Sequence, residues 1–201
     1  MFIKDNFMKD SALVVVDMLH DFIDGTMACK NANEAVAETM TFIEKQTAGT
    51  EEEKDVIQAR FPILFIRDFH PADHSSFADN GGLWPAHCVQ GTHGAEIAEQ
   101  LAQYASEEFT FFKGYEKEKE QYSGFEAINE AGQSLNDVLY IMDIKNVFVC
   151  GIATEYCVKN TCIDLLKAGY TVWLLKDCLG YVDYEDHLKA LQEMQDAGIR
   201  L

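Results

Sequence analysis

The sequence has no apolar run near the roughly 18 to 20 residues that a membrane-spanning helix needs. Its opening segment, MFIKDNFMKD, carries acidic residues and lacks the apolar stretch of a secretory signal. We therefore expect a cytoplasmic protein without a membrane partner. Basic residues are also scarce, since 16 lysines and arginines stand against 34 aspartates and glutamates, a formal net charge of −18. A negative net charge of this size repels phosphate backbones, so nucleic acid is not expected as a partner.

Paired-cysteine and nucleotide-binding motifs are missing as well. None of the six cysteines belongs to a CxxC pair, and a 201-residue chain is too long for a small disulfide-stabilised scaffold. We expect reduced thiols. The sequence contains no GxGxxG or Walker A pattern, so neither a dinucleotide nor a nucleoside triphosphate is indicated.

The composition that remains is that of an ordinary globular domain, with 48% hydrophobic and 25% charged residues. Short apolar segments with β-strand character alternate with segments of helical periodicity. This alternation predicts one α/β domain over residues 1–201, with a doubly wound, mostly parallel sheet and helices on both faces. The predicted strands are 12–16, 63–66, 109–112, 147–149 and 171–175; the predicted helices are 33–46, 94–104, 135–142, one between Thr154 and Gly169, and 185–197.

Ionisable or nucleophilic residues follow four of these strands. Asp17, Asp68 and Lys113 lie at strand ends, and Cys157 lies in the first turn of a helix with Thr154 as its predicted N-cap. The carboxyl ends of parallel strands share one edge of a sheet, where ligands bind. Unpaired NH groups at a helix start favour a thiolate, so Cys157 is a candidate nucleophile. Asp17 is then a candidate base and Lys113 a positive charge beside the sulfur, although a buried structural cysteine gives the same local pattern.

Asp68 and His70 form a second candidate site. Residues two apart on an extended segment project to the same side, so the carboxylate and the imidazole can converge on a metal ion. His74 and His87 follow a short distance downstream. Two nitrogens and one oxygen, with open positions for water or substrate, suit zinc, iron or manganese. The simpler interpretation is that these loop histidines only make hydrogen bonds.

Longer motifs are similar to one enzyme family. The sequence resembles the nicotinamidases, also called pyrazinamidases, of the isochorismatase-like superfamily of cysteine hydrolases. The resemblance runs from about Ala12 to the C-terminal helix, and the string at 84–96 is its most specific part. The matching segments are VVVDMLHDF at 14–22, RDFHPADHSSF at 67–77, WPAHCVQGTHGAE at 84–96, FKGYEKEKEQYSGFE at 112–126 and GIATEYCV at 151–158.

The resemblance implies hydrolysis of nicotinamide to nicotinate and ammonia, and of pyrazinamide, through a cysteine thioester in NAD salvage. It implies Cys157 as nucleophile, Asp17 as general base and Lys113 as the third member of a catalytic triad. It also implies one divalent metal ion, zinc in the first place with iron or manganese as alternatives. The further implied features are metal ligands at Asp68, His70 and His87; a non-proline cis peptide bond between Ile152 and Ala153; an oxyanion hole formed by the NH groups of Ala153 and Cys157; and a pocket for an aromatic amide lined by Phe22, Trp84, Tyr122 and Ile152.

The sequence departs from this family at two places. Many relatives read DxQNDF where this chain has DMLHDF at 17–22, so the glutamine and asparagine are missing. The segment 51–60 looks longer than the usual connection. The spacing leaves open whether His74 is a fourth metal ligand and whether the chain forms a homo-oligomer.

Three other functions remain as alternatives. One is another amidohydrolase of the superfamily that acts on a carbamoyl or ureido substrate. Another is a hydrolase in which metal-bound water attacks and Cys157 is structural. The third is a non-catalytic protein of the same fold that binds a small aromatic ligand.

Overall fold

A computed structural model describes residues 9–47 and 61–201. Over these residues the chain forms a five-stranded sheet in which each neighbouring pair of strands is parallel, in the order β3-β2-β1-β4-β5. The predicted α/β class and parallel sheet are therefore confirmed. The strands are β1 (Ser11–Val16), β2 (Ile63–Asp68), β3 (Thr110–Lys113), β4 (Asn146–Gly151) and β5 (Thr171–Leu179).

Six α-helices are present in the described residues, together with short 3₁₀ turns at Ala78–Asn80 and His93–Ala95 and a π-helical turn at Thr154–Val158. None of the helices within these residues is long and apolar enough to cross a bilayer. All six cysteines are free, as expected. The helices are α1 (His20–Ile23), α2 (Ala32–Thr47), α3 (Glu99–Ala102), α4 (Leu135–Ile141), α5 (Lys159–Lys167) and α6 (Tyr184–Ala197).

Both faces of the central strands β1 and β4 are buried, which explains why these strands are nearly continuous apolar runs that do not alternate with polar residues. Along β1, Leu13 and Val15 pack into one hydrophobic cluster and Val14 and Val16 into another. Helix α2 contributes to the first cluster, whereas α4, α5 and α6 contribute to the second. The sheet is thus held between two helical layers.

The strand order brings the candidate residues to one edge. The chain builds the sheet from β1 to β2 and β3, then returns to the other side of β1 for β4 and β5. The order therefore reverses between β1 and β4, and such a switch point leaves a crevice beyond the carboxyl ends of the strands. Asp17 follows β1 at this crevice, and Asp68 pairs with Lys113 in the β2–β3 register.

The predicted helix over 94–104 is wrong. The structure has a 3₁₀ turn at His93–Ala95 and the single-turn α3, with extended backbone at Glu96 between them. The backbone of this stretch pairs with the segment after β1 instead, because His20 N donates to Glu96 O at 3.1 Å and Ala98 N donates to Met18 O at 2.9 Å. Tertiary hydrogen bonds replace the helical bonds that the periodicity predicts.

The strand β5 runs four residues beyond its predicted end at Leu175, to Leu179. An irregularity in the pairing between Val149 and Gly151 lets Gly151 face Leu179 and extends the ladder. The Glu-rich stretch at 51–55, the longer segment 51–60 and the first eight residues lie outside the described residues.

The predicted N-cap role of Thr154 is also wrong. Ala153 stands at the cap position of the π-helical turn without a side-chain cap bond. Thr154 instead donates from both N and Oγ1 to Gly180 O, each at 2.9 Å. The turn that carries Cys157 is therefore fastened to the connection after β5. At the other end, Gly169 adopts the left-handed conformation (φ 96°) expected of a glycine that ends a helix.

Gly151 allows the close approach of β4 to β1. It has φ 133°, and a Cβ atom there would lie 2.0 Å from Val16 O. We expect Gly151→Ala to lower the free energy of unfolding by roughly 2–5 kcal/mol, because strained backbone and a backbone clash add together. Gly132, with φ 77° and nothing within 4 Å of a built Cβ, is the matched control. Gly132→Ala should cost only about 1–2 kcal/mol in the same denaturant titration. Equal losses for the two variants would contradict a steric role for Gly151.

Candidate active site

A buried lysine joins the predicted catalytic side chains. The Nζ atom of Lys113 lies 2.9 Å from Asp17 Oδ2, 2.5 Å from Asp68 Oδ1 and 3.4 Å from Cys157 Sγ. Lys113 and Asp17 are fully shielded from solvent. Side chains at or just beyond the carboxyl ends of β1, β2, β3 and β4 thus meet at one point, as the shared edge predicts.

Backbone geometry fixes the carboxylate of Asp17. The residue directly follows β1 and has φ 49°, which is uncommon for a side-chain-bearing residue, and its N donates to Ile66 O at 3.0 Å. Its Oδ1 accepts a hydrogen bond from Asp68 N at 3.0 Å, which leaves Oδ2 facing the lysine. One carboxylate therefore bridges the next strand and the lysine.

Burial and charge set the protonation states of this cluster. Burial raises the pKa of Asp17 to about 6; the ammonium of Lys113 opposes this shift and Asp68 adds to it. For Lys113, burial favours the neutral amine, but the carboxylates of Asp17 and Asp68 outweigh it and hold the pKa well above its usual range. The lysine is accordingly a permanent cation near neutral pH.

The expectation that the helix start favours a thiolate at Cys157 is wrong for this geometry. Burial, reinforced by the two neighbouring carboxylates, raises the pKa of the thiol well above its ordinary value despite the opposing charge of Lys113. The sulfur lies in a buried π-helical turn and not at an exposed helix end. Cys157 is therefore a thiol at rest, and it needs a base to become a nucleophile.

Asp68, His70 and His87 form a buried cluster whose ligand atoms lie within 4.8 Å of one another. The Nε2 atoms of His70 and His87 are 3.6 and 4.0 Å from Asp68 Oδ2. The Nδ1 atoms are occupied elsewhere, at 2.8 Å from Gly114 O and 2.7 Å from Pro85 O. Such carbonyl partners orient an imidazole so that its other nitrogen can bind a metal. The donor set of one carboxylate and two imidazoles fits the predicted divalent ion.

His74 does not join this cluster among the described residues. Its Nδ1 is 2.7 Å from Ser76 Oγ, its Nε2 is 3.3 Å from Lys119 O, and its ring centroid lies 4.3 Å from that of His70. Both nitrogens of His74 thus have protein partners in this structure. The ring of His74 thus packs against the ring of His70 and contacts the loop after β3 through Lys119 O.

Aromatic side chains lie beside the histidine cluster and beside the turn that carries Cys157. The ring of Phe22 lies 5.4 Å from that of His87, and Trp84 Nε1 donates to Tyr122 Oη at 3.2 Å. Tyr156, which we did not predict, packs edge-on against Trp84 at 5.2 Å and lies 5.7 Å from Tyr122. Its position directly before Cys157 in GIATEYCV was the available signal. Ile152 is fully buried beside the turn.

The peptide bond between Ile152 and Ala153 is cis, as the resemblance implies. The turn that follows has a second attachment that we did not predict. Glu155 is buried, and its Oε1 accepts hydrogen bonds from Val182 N and Asp183 N at 2.9 and 2.8 Å. Thr154 and Glu155 together hold the Cys157 turn against the connection between β5 and α6.

Comparison with known proteins places the chain. Residues 11–201 match the Isochorismatase domain family. The chain belongs to the isochorismatase family.

Relatives within the isochorismatase family cover nearly the whole chain. The nicotinamidase/pyrazinamidase of Mycobacterium tuberculosis is 32% identical over 193 residues, which cover 94% of this chain and 97% of the relative. The structure of Pyrococcus horikoshii pyrazinamidase in complex with zinc is 38% identical, with a TM-score of 0.80 over 95% of this chain and 97% of that one. The structure of PnC1 from L. infantum in complex with nicotinate is 29% identical, with a TM-score of 0.81 over 96% and 92% of the chains.

Proposed function

We propose that this protein is a nicotinamidase that hydrolyses nicotinamide to nicotinate and ammonia, and that it also hydrolyses pyrazinamide. The observation that carries the proposal is the contact of Lys113 Nζ with both Asp17 and Cys157 beside the Asp68, His70 and His87 cluster. The names of the relatives support the same reaction. Its product would supply NAD salvage in the cytoplasm.

In the first half of the reaction, the carboxylate of Asp17 takes the proton from Cys157 Sγ as the sulfur attacks the amide carbon. Lys113 stabilises the developing thiolate at 3.4 Å. The NH groups of Ala153 and Cys157 receive the negative charge that forms on the amide oxygen. Asp17 then donates this proton to the amide nitrogen, and the carbon–nitrogen bond breaks. Ammonia departs, and the acyl group remains on Cys157 as a thioester.

In the second half, a water molecule attacks the thioester carbon while Asp17 accepts one of its protons. The carbon–sulfur bond breaks, the proton held by Asp17 passes to Cys157 Sγ, and the nicotinic acid that leaves ionises to nicotinate by losing the second proton of the water. The same carboxylate is thus a base twice, which requires that it be ionised when each attack begins.

Residues around the sulfur select an aromatic substrate. Phe22, Trp84 and Tyr122, together with Ile152, would enclose a flat ring. Asp68, His70 and His87 would hold the metal, for which we propose zinc with iron or manganese as alternatives. When bound, the metal would supply a positive charge that orients the ring through its nitrogen. A carbamoyl or ureido substrate has no ring to fill this aromatic pocket, which favours nicotinamide over that alternative.

Ammonia release from nicotinamide tests the proposal directly. We expect the zinc-loaded protein to release ammonia from nicotinamide and pyrazinamide but not from an N-carbamoyl amino acid. Cys157→Ala should lower kcat/KM at least about 1000-fold, because the covalent step is lost. Cys162→Ala, a buried cysteine on α5 with its side chain in the core, is the matched control and should retain activity.

Mass spectrometry of the enzyme during turnover should detect the thioester on Cys157. Activity of Cys157→Ala close to that of the wild type would instead favour attack by metal-bound water. Binding of nicotinamide without ammonia release would favour a non-catalytic binding protein.

The raised pKa of Asp17 predicts an acid limit to activity. The ionised carboxylate is the reactive form and is populated above its pKa of about 6, so kcat/KM should rise with pH up to about 6 and then level off. Below that value it should fall about tenfold per pH unit. Zinc content must be measured at each pH, because protonation of His70 and His87 also releases metal. An acid limit near pH 4 with zinc retained would contradict either the raised pKa or the role of Asp17 as the base.

A further inference from the structure

We propose that Asp21 is a positioning residue that holds the backbone on both sides of His87 in the geometry that binds metal. The inference rests on the metal site of the proposed function. Asp21 takes part in no step of the mechanism above, and it contacts neither the sulfur nor the metal-ligand atoms in any bond described. It lies on the short helix α1, which begins at His20, three residues after Asp17.

The carboxylate of Asp21 joins two separate segments. Its Oδ2 accepts a hydrogen bond from Cys88 N at 2.7 Å, and its Oδ1 accepts one from Thr26 N at 3.1 Å. The side chain is largely buried, with 8% of the residue exposed. A hydrogen bond to an ionised carboxylate is about twice as strong as one between neutral groups. The residue immediately after His87 is therefore fixed to α1.

Other bonds extend this attachment around His87. Thr26 Oγ1 donates to Ala86 O at 2.8 Å, so the residue before His87 is held by the same segment. On the far side, His70 N donates to Cys88 O at 3.0 Å. One residue, Cys88, thus links Asp21 to the backbone of both histidines of the proposed metal site. Cys88 has φ 46°, an uncommon conformation that these bonds stabilise.

Two glycines leave the space that the carboxylate occupies. A Cβ atom built on Gly94 would lie 2.0 Å from Asp21 Oδ2, and one built on Gly25 would lie 2.4 Å from Oδ1. Neither glycine has a positive φ in the left-handed range, so the need here is for space and not for backbone freedom. Three segments of the chain therefore meet around one carboxylate whose position they define closely.

Loss of this carboxylate should weaken metal binding without removing a ligand. An asparagine at this position offers one acceptor oxygen to two NH donors, and its own amide group would face one of them. The Ala86–Cys88 backbone would gain freedom that metal binding must then remove. Changes in such supporting contacts typically lower metal affinity 10- to 100-fold.

The test measures zinc affinity of the metal-free protein by competition with a chromogenic chelator, in the absence of substrate. We expect Asp21→Asn to bind zinc about 10- to 100-fold more weakly than the wild type. Gly94→Ala should weaken binding in the same direction, because it displaces the carboxylate while leaving Asp21 present. Asp24→Asn is the matched control; this carboxylate is 70% exposed, lies at the end of the same helix and should leave zinc affinity unchanged.

Wild-type zinc affinity in a folded Asp21→Asn protein would overturn the proposal. If that variant fails to fold, Gly94→Ala decides, and wild-type affinity there has the same meaning. The measurement also separates this inference from the proposed function. A wild-type protein that binds zinc but does not hydrolyse nicotinamide would reject the enzyme and leave the role of Asp21 intact. A wild-type protein that does not bind zinc would reject the metal site and this inference together.

Discussion

The site depends on the ion pairs that the buried ammonium of Lys113 forms with Asp17 and Asp68. A lysine that is wholly removed from water is stable as a cation only if opposite charges replace its hydration. Here two carboxylates do so at 2.9 and 2.5 Å. Burial raises the pKa of Asp17, the neighbouring carboxylate of Asp68 adds to this shift, and the ammonium of Lys113 opposes it. The raised pKa of Asp17 is therefore a consequence of its burial beside Asp68, and the lysine limits the shift.

Asp68 belongs both to the Lys113 cluster and to the cluster with His70 and His87, and so makes them one electrostatic unit. One of its oxygens contacts Lys113, and the other lies 3.6 Å from His70 Nε2 and 4.0 Å from His87 Nε2. Although burial alone would raise its pKa, Lys113 and His70 hold the pKa of Asp68 below its usual range, so it stays ionised. The direct pairing of Asp68 with Lys113 in the sheet register explains why this bridge forms. The positions of Asp68 and of the sulfur are therefore set by β2 and β4, which lie on either side of β1 in one sheet.

The sequence predicts the fold and the convergence of the site for one reason: the strand ends could be recognised. Asp17, Asp68 and Lys113 each end an apolar run, and a parallel sheet brings such ends together. What local sequence could not provide was the cost of removing the Cys157 thiol from water, because burial depends on the layers packed over the turn. The favourable helix start was visible in the sequence, whereas the larger opposing effect was not. The predicted helix at 94–104 is wrong for the same reason, because the backbone partners of this segment at Met18 and His20 are distant in sequence.

Some buried carboxylates accept hydrogen bonds from backbone NH groups of distant segments, and no sequence pattern predicted these bonds. Asp21 and Glu155 lie inside the motifs VVVDMLHDF and GIATEYCV, yet their partners near Cys88 and Val182 are far along the chain.

The buried charges around Lys113 bear on the choice between an enzyme and a non-catalytic binding protein. Apolar residues of similar volume often stabilise a core as well as a buried ion pair does, so a binding protein has no need of the Lys113 cluster. The proposed thioester chemistry, by contrast, uses each part of the cluster: the buried cation, the carboxylate with a raised pKa and the thiol 3.4 Å from the cation.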